Sequence, residues 1–555
     1  MKIIKYLAIL SSLSLIYCSA SEDKTYSIAQ SEPAREMNKP TASYKNKQQS
    51  TKIYTKDQKP SSPKTKPEMN TASGVSDSEE YNTEQYDKIT DNPFLDVKEN
   101  PLSTFSIDVD TASYSNTRRF LNNGSLPPKD AVRIEELINY FKYNYSEPSG
   151  KEPFSVGNEI SYAPWNEKNY LMKISIKGKS IERKEMPPRN LVFLLDVSGS
   201  MLTADKLPLV KQGLKMLLGE LTEKDKIAIV VYAGASGLVL PATSASQKDK
   251  IINALDALEA GGSTNGGAGI QLAYKIAREN FNKQGINRVI LATDGDFNVG
   301  IASQGDLIRL IEKERESGVF LTVLGFGTGN IKDSTMENLA DKGNGNYAYI
   351  DSLQEAKKVL VTQSGGTLVT IAKDVKLQLE FNPKFVKSYR LIGYENRVLR
   401  NEDFNDDKKD AGDIGAGHNV TALYELIPID GESNTGSVDP LKYQEERKRT
   451  KSADLNEILT IKIRYKEPDS AKSSLLTVPI QNKILDLGQT STDYRFAASV
   501  ASFGMLLRDS EFKGKANWKD TYDLAQKSIG SDKEGYRKEF LKLIEQARNL
   551  SEKRK

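Results

Sequence analysis

The chain has 555 residues, 38% of them hydrophobic, with 78 Lys plus Arg against 75 Asp plus Glu. That length accommodates about three or four domains with ordinary cores, and the balanced charge excludes the basic excess on which nucleic-acid binding depends. One cysteine, Cys18, and one histidine, His418, exclude an intrachain disulfide framework, a Cys or His zinc site and a Cys/His nucleophile pair.

Residues 1–17 place Lys2 and Lys5 ahead of an apolar stretch, the pattern of a bacterial export signal and too short for a membrane span. Two processing routes are open. Leu15, Ile16, Tyr17 and Cys18 resemble a lipobox, with Tyr17 in place of the usual small residue; Cys18 and Ala20 also fit a small-x-small cleavage site that would release a soluble product. Lipidation at Cys18 is the expectation, because it gives the lone cysteine a use. It would anchor the chain by its lipid in the cell envelope, outside the cytoplasm. Ser19, in place of the Asp that retains lipoproteins at the inner membrane, points to the outer one.

From 18 to 92 the chain is rich in Lys, Ser, Thr, Pro, Asn and Gln and poor in large aliphatics, so burial cannot offset ordering entropy and a disordered tether is expected. About 75 such residues span roughly 50 Å. An α+β region follows over 93–188. STFSIDV (103–109) alternates as a strand, 113–122 suits a helix, and AVRIEELINYF (131–141) lines Ile134, Leu137, Ile138 and Phe141 along one helical face. Asp108 and Asp110 resemble the aspartate pair of haloacid-dehalogenase phosphatases, but Ala112 stands where that motif needs Thr or Val, so the pair is a near miss. Strands are expected over 154–162 and 170–176, and Pro187 with Pro188 marks the next boundary.

Over 189–365, strands near Leu191, Ile227, Val289, Phe320 and Tyr347 alternate with helices near Lys206, Lys248, Gly269, Leu307 and Ser334, the order of a doubly wound α/β sheet. LVFLLDVSGSM (191–201) combines a buried strand with Asp196, Ser198 and Ser200, spaced by two in a loop at the carboxyl end, where open α/β sheets place ligands. Thr264 lies in a glycine-rich loop, GGSTNGGAG (261–269), and Asp294 ends another apolar strand, VILATDG (289–295). Hydroxyl and carboxylate oxygens without sulfur or imidazole suit a hard cation, Mg²⁺ first and Mn²⁺ or Ca²⁺ as alternatives. Each aspartate taken alone reads as a helix cap; five such positions from three loops read as a metal cup. Gly325, Gly327 and Gly329 suit a tight strand-to-helix turn.

Over 366–484, IAKDVKLQLEF, NVTALYELIPI, EILTIKIRY and SLLTVPI predict an antiparallel β-sandwich, with 401–413 and 432–452 as exposed loops. His418 is a solitary loop histidine with no catalytic partner. Over 485–555 the chain is helical, with Phe496, Val500, Phe503 and Leu507 on one face, and Tyr536, Phe540, Leu543, Ala547 and Leu550 on another.

The set of DVSGS, the Thr264 loop and TDG resembles the metal-ion-dependent adhesion site of von Willebrand factor type A domains. That resemblance implies Ser198, Ser200 and Thr264 as direct ligands, with Asp196 and Asp294 acting mostly through waters. With SIDVDTASY (106–114), GHNVTALYEL (417–426) and RFAASVASFGMLLR (495–508), nearly all the chain beyond 92 resembles a bacterial family of von Willebrand factor type A lipoproteins. In a doubly wound domain the first strand starts and the last helix ends at the edge away from the ligand site. The flanking strands are therefore expected to join in one sandwich into which the type A domain is inserted. The function expected is a non-enzymatic, envelope-anchored protein that captures an Asp or Glu of a protein partner through its cation, with selectivity from 296–303. The alternatives are a metal-independent structural component of the envelope and, last, a Mg²⁺-dependent hydrolase.

Overall fold

The computed structural model describes residues 83–107, 110–234, 236–262, 266–295, 304–363, 369–432, 442–443 and 448–554. Cys18 and residues 1–17, the stretch expected to be an export signal, lie outside them. Contacts begin before the expected boundary at 92. The Thr83 and Gln85 amides donate to the Gly329 and Ile331 carbonyls at 2.8 and 2.9 Å, and Glu84 pairs with Arg119 at 2.8 Å. Burial pushes the Glu84 carboxyl up, yet the Arg119 guanidinium brings it below the ordinary value. Backbone pairing and one ion pair dock this stretch, and neither registers in a composition poor in aliphatics.

In chain order come β1 (Leu95–Asp96), β2 (Leu102–Ser106), α1 (Ala112–Asn122), α2 (Ile134–Asn139), β3 (Phe154–Ala163) and β4 (Asn166–Gly178). The inserted domain runs β5 (Arg189–Asp196), α3 (Leu207–Glu220), β6 (Lys226–Tyr232), β7 (Ser236–Ser244), α4 (Lys248–Asp256), α5 (Gly266–Glu279), β8 (Ile286–Thr293), α6 (Gln304–Glu316), β9 (Phe320–Phe326), α7 (Asp333–Lys342), β10 (Tyr347–Ile350) and α8 (Leu353–Lys357). Then follow β11 (Thr370–Phe381), β12 (Val386–Ile392), β13 (Ile414–Gly415), β14 (Asn419–Pro428), β15 (Glu457–Lys466), β16 (Ser473–Gln481), α9 (Thr492–Arg508), α10 (Trp518–Gln526) and α11 (Tyr536–Lys553).

The strands on either side of the insertion share one sheet, of order β1-β12-β14-β4-β3, in which Val420 of β14 lies opposite Ile176 of β4. The facing sheet holds β13-β11-β15-β16, with β2 also paired to β11. Met172, Ile174, Ile176, Tyr424 and Leu426 from one sheet and Leu377, Leu379, Ile461 and Ile463 from the other form the sandwich core. The period of two sends Leu171 and Leu423 to the opposite face, where they join Leu137, Ile138, Phe496, Val500, Phe503, Phe540 and Leu543 in a helical core. Helices from 93–188 and 485–555 therefore share one core and are not separate regions.

Two other expectations change. The predicted helix over 131–141 is an α-helix only over Ile134–Asn139, preceded by a 3₁₀ turn at Lys129–Ala131. The 401–413 insertion is not a wholly exposed loop, because Asp403 and Phe404 are buried.

In the inserted domain the sheet order is β10-β9-β8-β5-β6-β7, parallel except for the edge strand β7. All eight residues of β5 are buried. Leu191, Phe193 and Leu195 pack toward α3, while Val192 and Leu194 pack toward α5. β7 is absent from the sequence expectation because its Leu238 and Val239 are exposed and give no alternating signature.

Two buried ionic networks clamp this domain to its frame. Arg118 of α1 contacts Asp351 at 2.5 Å, Glu355 at 2.7 Å and Glu539 at 3.0 Å, and donates to the Tyr140 hydroxyl at 2.9 Å. Arg133 pairs with Glu136 and with Asp333 of α7, and Arg397 pairs with Glu337 at 2.6 Å and with Asp341. Asp110 accepts the Tyr347 amide at 2.8 Å and faces Arg397 at 3.7 Å, a clamping role that agrees with its reading as a near miss; Asp108 lies outside the described residues.

Replacing Arg118 by Met keeps the stem and leaves Asp351 and Glu355 buried without that cation. The expected result is a lower urea midpoint, a loss of about 3 kcal/mol or more; an unchanged midpoint would show that the network adds no stability. A second prediction concerns His418. Its Nδ1 is buried without a hydrogen-bond partner among the described residues, and burial, with Lys177 nearby, lowers its pKa to about 4. A base depressed on folding stabilises above its ordinary value near 6.5 and loses that contribution as pH falls through about 4. Melting temperatures measured across pH 6.5 to 4 should therefore fall less steeply in His418→Asn than in the native chain.

Candidate metal centre

The chain runs from β5 to β6 on one side of the sheet and returns to β8 on the other, so the carboxyl ends of β5 and β8 flank a topological switch point. Arg189 to Leu195 pair in parallel with Ile286 to Ala292. The register sets Asp196 beside the end of β8, just before Asp294. Both carboxylates are fully buried, at 0% and 1% exposure.

Asp196 organises the loop that follows it. Its Oδ1 accepts the Ser198 amide at 2.8 Å, the turn an Asp side chain favours two residues on, and a 3₁₀ turn at Gly199–Leu202 carries Ser200 back. The Ser198 and Ser200 hydroxyls meet at 3.0 Å. The Gly199 amide donates to the Gly262 carbonyl at 3.0 Å and the Gly261 amide to the Val197 carbonyl at 2.8 Å, which straps the glycine-rich loop to the serine loop. Thr264 itself and the 296–303 segment lie outside the described residues.

The other oxygen of Asp196, Oδ2, is buried without a close hydrogen bond among the described residues, and the Tyr232 hydroxyl is the donor that faces this carboxylate. Burial pushes this carboxyl up to about 6; hydrogen bonds from Ser198 and from the Tyr232 hydroxyl oppose the shift and the charge of Asp294 adds to it. At the end of β6, Tyr232 is also buried, its hydroxyl pushed well above its usual range by burial and by the Asp196 carboxylate. A desolvated carboxylate oxygen, two converging hydroxyls and a second buried carboxylate form an all-oxygen donor set that fits a hard divalent cation. Among the described residues no group of three or more His, Cys, Asp or Glu gathers at one point, as expected where half the donors are hydroxyls.

Sequence reasoning missed Lys206. Its ammonium donates to Asp294 Oδ2 at 2.9 Å, and both side chains are buried. It occupies the N-cap position of α3, where a cation opposes the helix dipole. That misplaced charge was the available signal. Gly327, expected in a tight turn, has a φ of +73°, and Gly329 has +89°. Leu202, two residues past Ser200, is 71% exposed.

Residues 190–362 match the model of the von Willebrand factor type A domain, residues 80–173 match one described as von Willebrand factor, and residues 366–550 match one described as the C-terminal part of uncharacterized protein YfbK. The chain is 48% identical over 477 residues to uncharacterized protein YfbK of Escherichia coli (strain K12), covering 85% of this chain and 82% of that protein. It is 30% identical over 169 residues to the human inter-alpha-trypsin inhibitor heavy chain H3, covering 28% of this chain and 18% of that one. Among solved structures, a von Willebrand factor type A protein from Catenulispora acidiphila is 16% identical, with a TM-score of 0.38 over 70% of this chain and 89% of that chain.

Proposed function

The chain belongs to the von Willebrand factor type A family that includes the Escherichia coli protein YfbK, and from that premise we propose that it is a non-enzymatic binding protein that captures an acidic side chain of a partner protein through a divalent cation. The observation that carries this reading is the meeting of the Ser198 and Ser200 hydroxyls beside the fully buried Asp196 and Asp294 carboxylates at the sheet's switch point. A carboxylate oxygen so placed is costly to leave uncompensated.

Ser198, Ser200 and Thr264 would hold the ion directly, with Asp196 and Asp294 supporting them through waters, as the resemblance implies. Bound there, the ion supplies an electrophilic position that an outside Asp or Glu can complete. The chain's own residues do the rest. The Asp196 turn fixes the spacing of the two hydroxyls, the Gly261 and Gly262 strap holds the serine loop, and Leu202 offers an apolar contact beside the carboxylate's point of entry. A single carboxylate on an ion gives modest affinity, so contacts such as Leu202 supply selectivity. We further propose that Cys18 carries the lipid anchor and that the site works outside the cytoplasm, the outer membrane being the favoured surface. No helix among the described residues is long and apolar enough to cross a membrane.

Thermal melts with and without magnesium test the site. At an ion concentration about 100 times its dissociation constant the native chain should gain about 2.7 kcal/mol, read as a higher melting temperature. Asp196→Ala should show no such gain. Equal shifts in both chains would remove Asp196 from the site.

A further inference from the structure

We propose that Lys206 is a built-in counter-cation of this site, which weakens its hold on the divalent ion and thereby makes the ion-loaded site require an outside carboxylate. The inference rests on the metal reading above and concerns what the site does with its charge.

Lys206 is placed for this by two independent contacts. Its ammonium sits 2.9 Å from Asp294 Oδ2, and the residue is 6% exposed. Its stem lies flat on Gly327: a Cβ there would stand 2.2 Å from Lys206 Cε and 2.5 Å from Cγ. Only glycine leaves that passage open, and its φ of +73° is one that side-chain-bearing residues rarely adopt. The lysine is therefore held along a groove that ends at the metal cup. It reaches Asp294 despite lying at the wrong end of α3 for a cation.

The charges then decide the chemistry. Asp196, Asp294 and Lys206 together carry one net negative charge in a desolvated crevice. With a divalent cation bound, the same set carries one net positive charge, and a single incoming carboxylate brings it to neutrality. Without Lys206 the loaded site would already be neutral and an added carboxylate would leave it negative. Because charges a few ångströms apart interact strongly away from water, Lys206 should lower affinity for the cation and raise affinity of the loaded site for an anion. By linkage, an anion should in turn raise affinity for the cation.

The test is titration of the full chain with Mn²⁺, followed by electron paramagnetic resonance, with and without acetate as the simplest carboxylate. The native chain and Lys206→Arg should bind Mn²⁺ with similar affinity, and acetate should strengthen binding in both. Lys206→Met keeps the stem on Gly327 and removes the charge; Lys206→Gln also keeps a donor toward Asp294. Each, once shown by circular dichroism to be folded, should bind Mn²⁺ at least about tenfold tighter and lose the acetate effect. A purely structural lysine would predict equal or weaker Mn²⁺ binding in the folded Met and Gln variants, and that result would overturn the proposal. If the native chain itself binds no Mn²⁺, the metal reading fails and this inference falls with it.

Discussion

The pairing of β4 with β14 is the constraint on which the rest of the structure depends. These strands lie on opposite sides of the inserted α/β domain in sequence, yet they are neighbours in one sheet; the chain leaves at Gly178 of β4 and returns in β11 of the facing sheet, whose Ile371 packs against Gly178, so the gap it spans is short. A doubly wound domain meets that requirement because its first strand begins, and its last helix ends, at the edge away from the strands' carboxyl ends. The same geometry sets Asp196, Ser198, Ser200 and Asp294 at the end opposite the connections. Insertion and site orientation follow from one topological fact.

Desolvation of charge is handled differently in the clamps and in the cup. In the clamps, Arg118 gathers Asp351, Glu355 and Glu539, and Arg133 with Arg397 gathers acids of α2 and α7. Those guanidiniums present several donors in a rigid fork and satisfy more than one carboxylate at once. In the cup, Lys206 supplies one point charge beside two buried aspartates. In the clamps the ion pairs hold the domain to its frame; in the cup the ammonium of Lys206 meets Asp294, one of the aspartates on which the proposed ion binding rests.

Much of this was legible from residue pattern. The apolar run ending in Asp196 reads as a central strand because both faces of a parallel sheet are covered. The sandwich strands read from their alternation, and the helix stripes around Phe496 and Phe540 from their period. What was not legible has a common cause. β7 has exposed Leu238 and Val239, and residues 83–85 dock by backbone hydrogen bonds and one ion pair. Edge pairing and polar docking leave little periodic trace.

The sequence by itself determined the central strands, the helix stripes and which oxygen-bearing residues end the two central strands, because burial and strand periodicity are written in neighbouring residues. Only the tertiary structure decided that β4 and β14 share a sheet, that helices from both ends of the described chain share a core, and that Lys206 reaches Asp294 over Gly327. Those contacts join residues tens to hundreds of positions apart. Their stability comes from packing and desolvation in three dimensions, which no local pattern records.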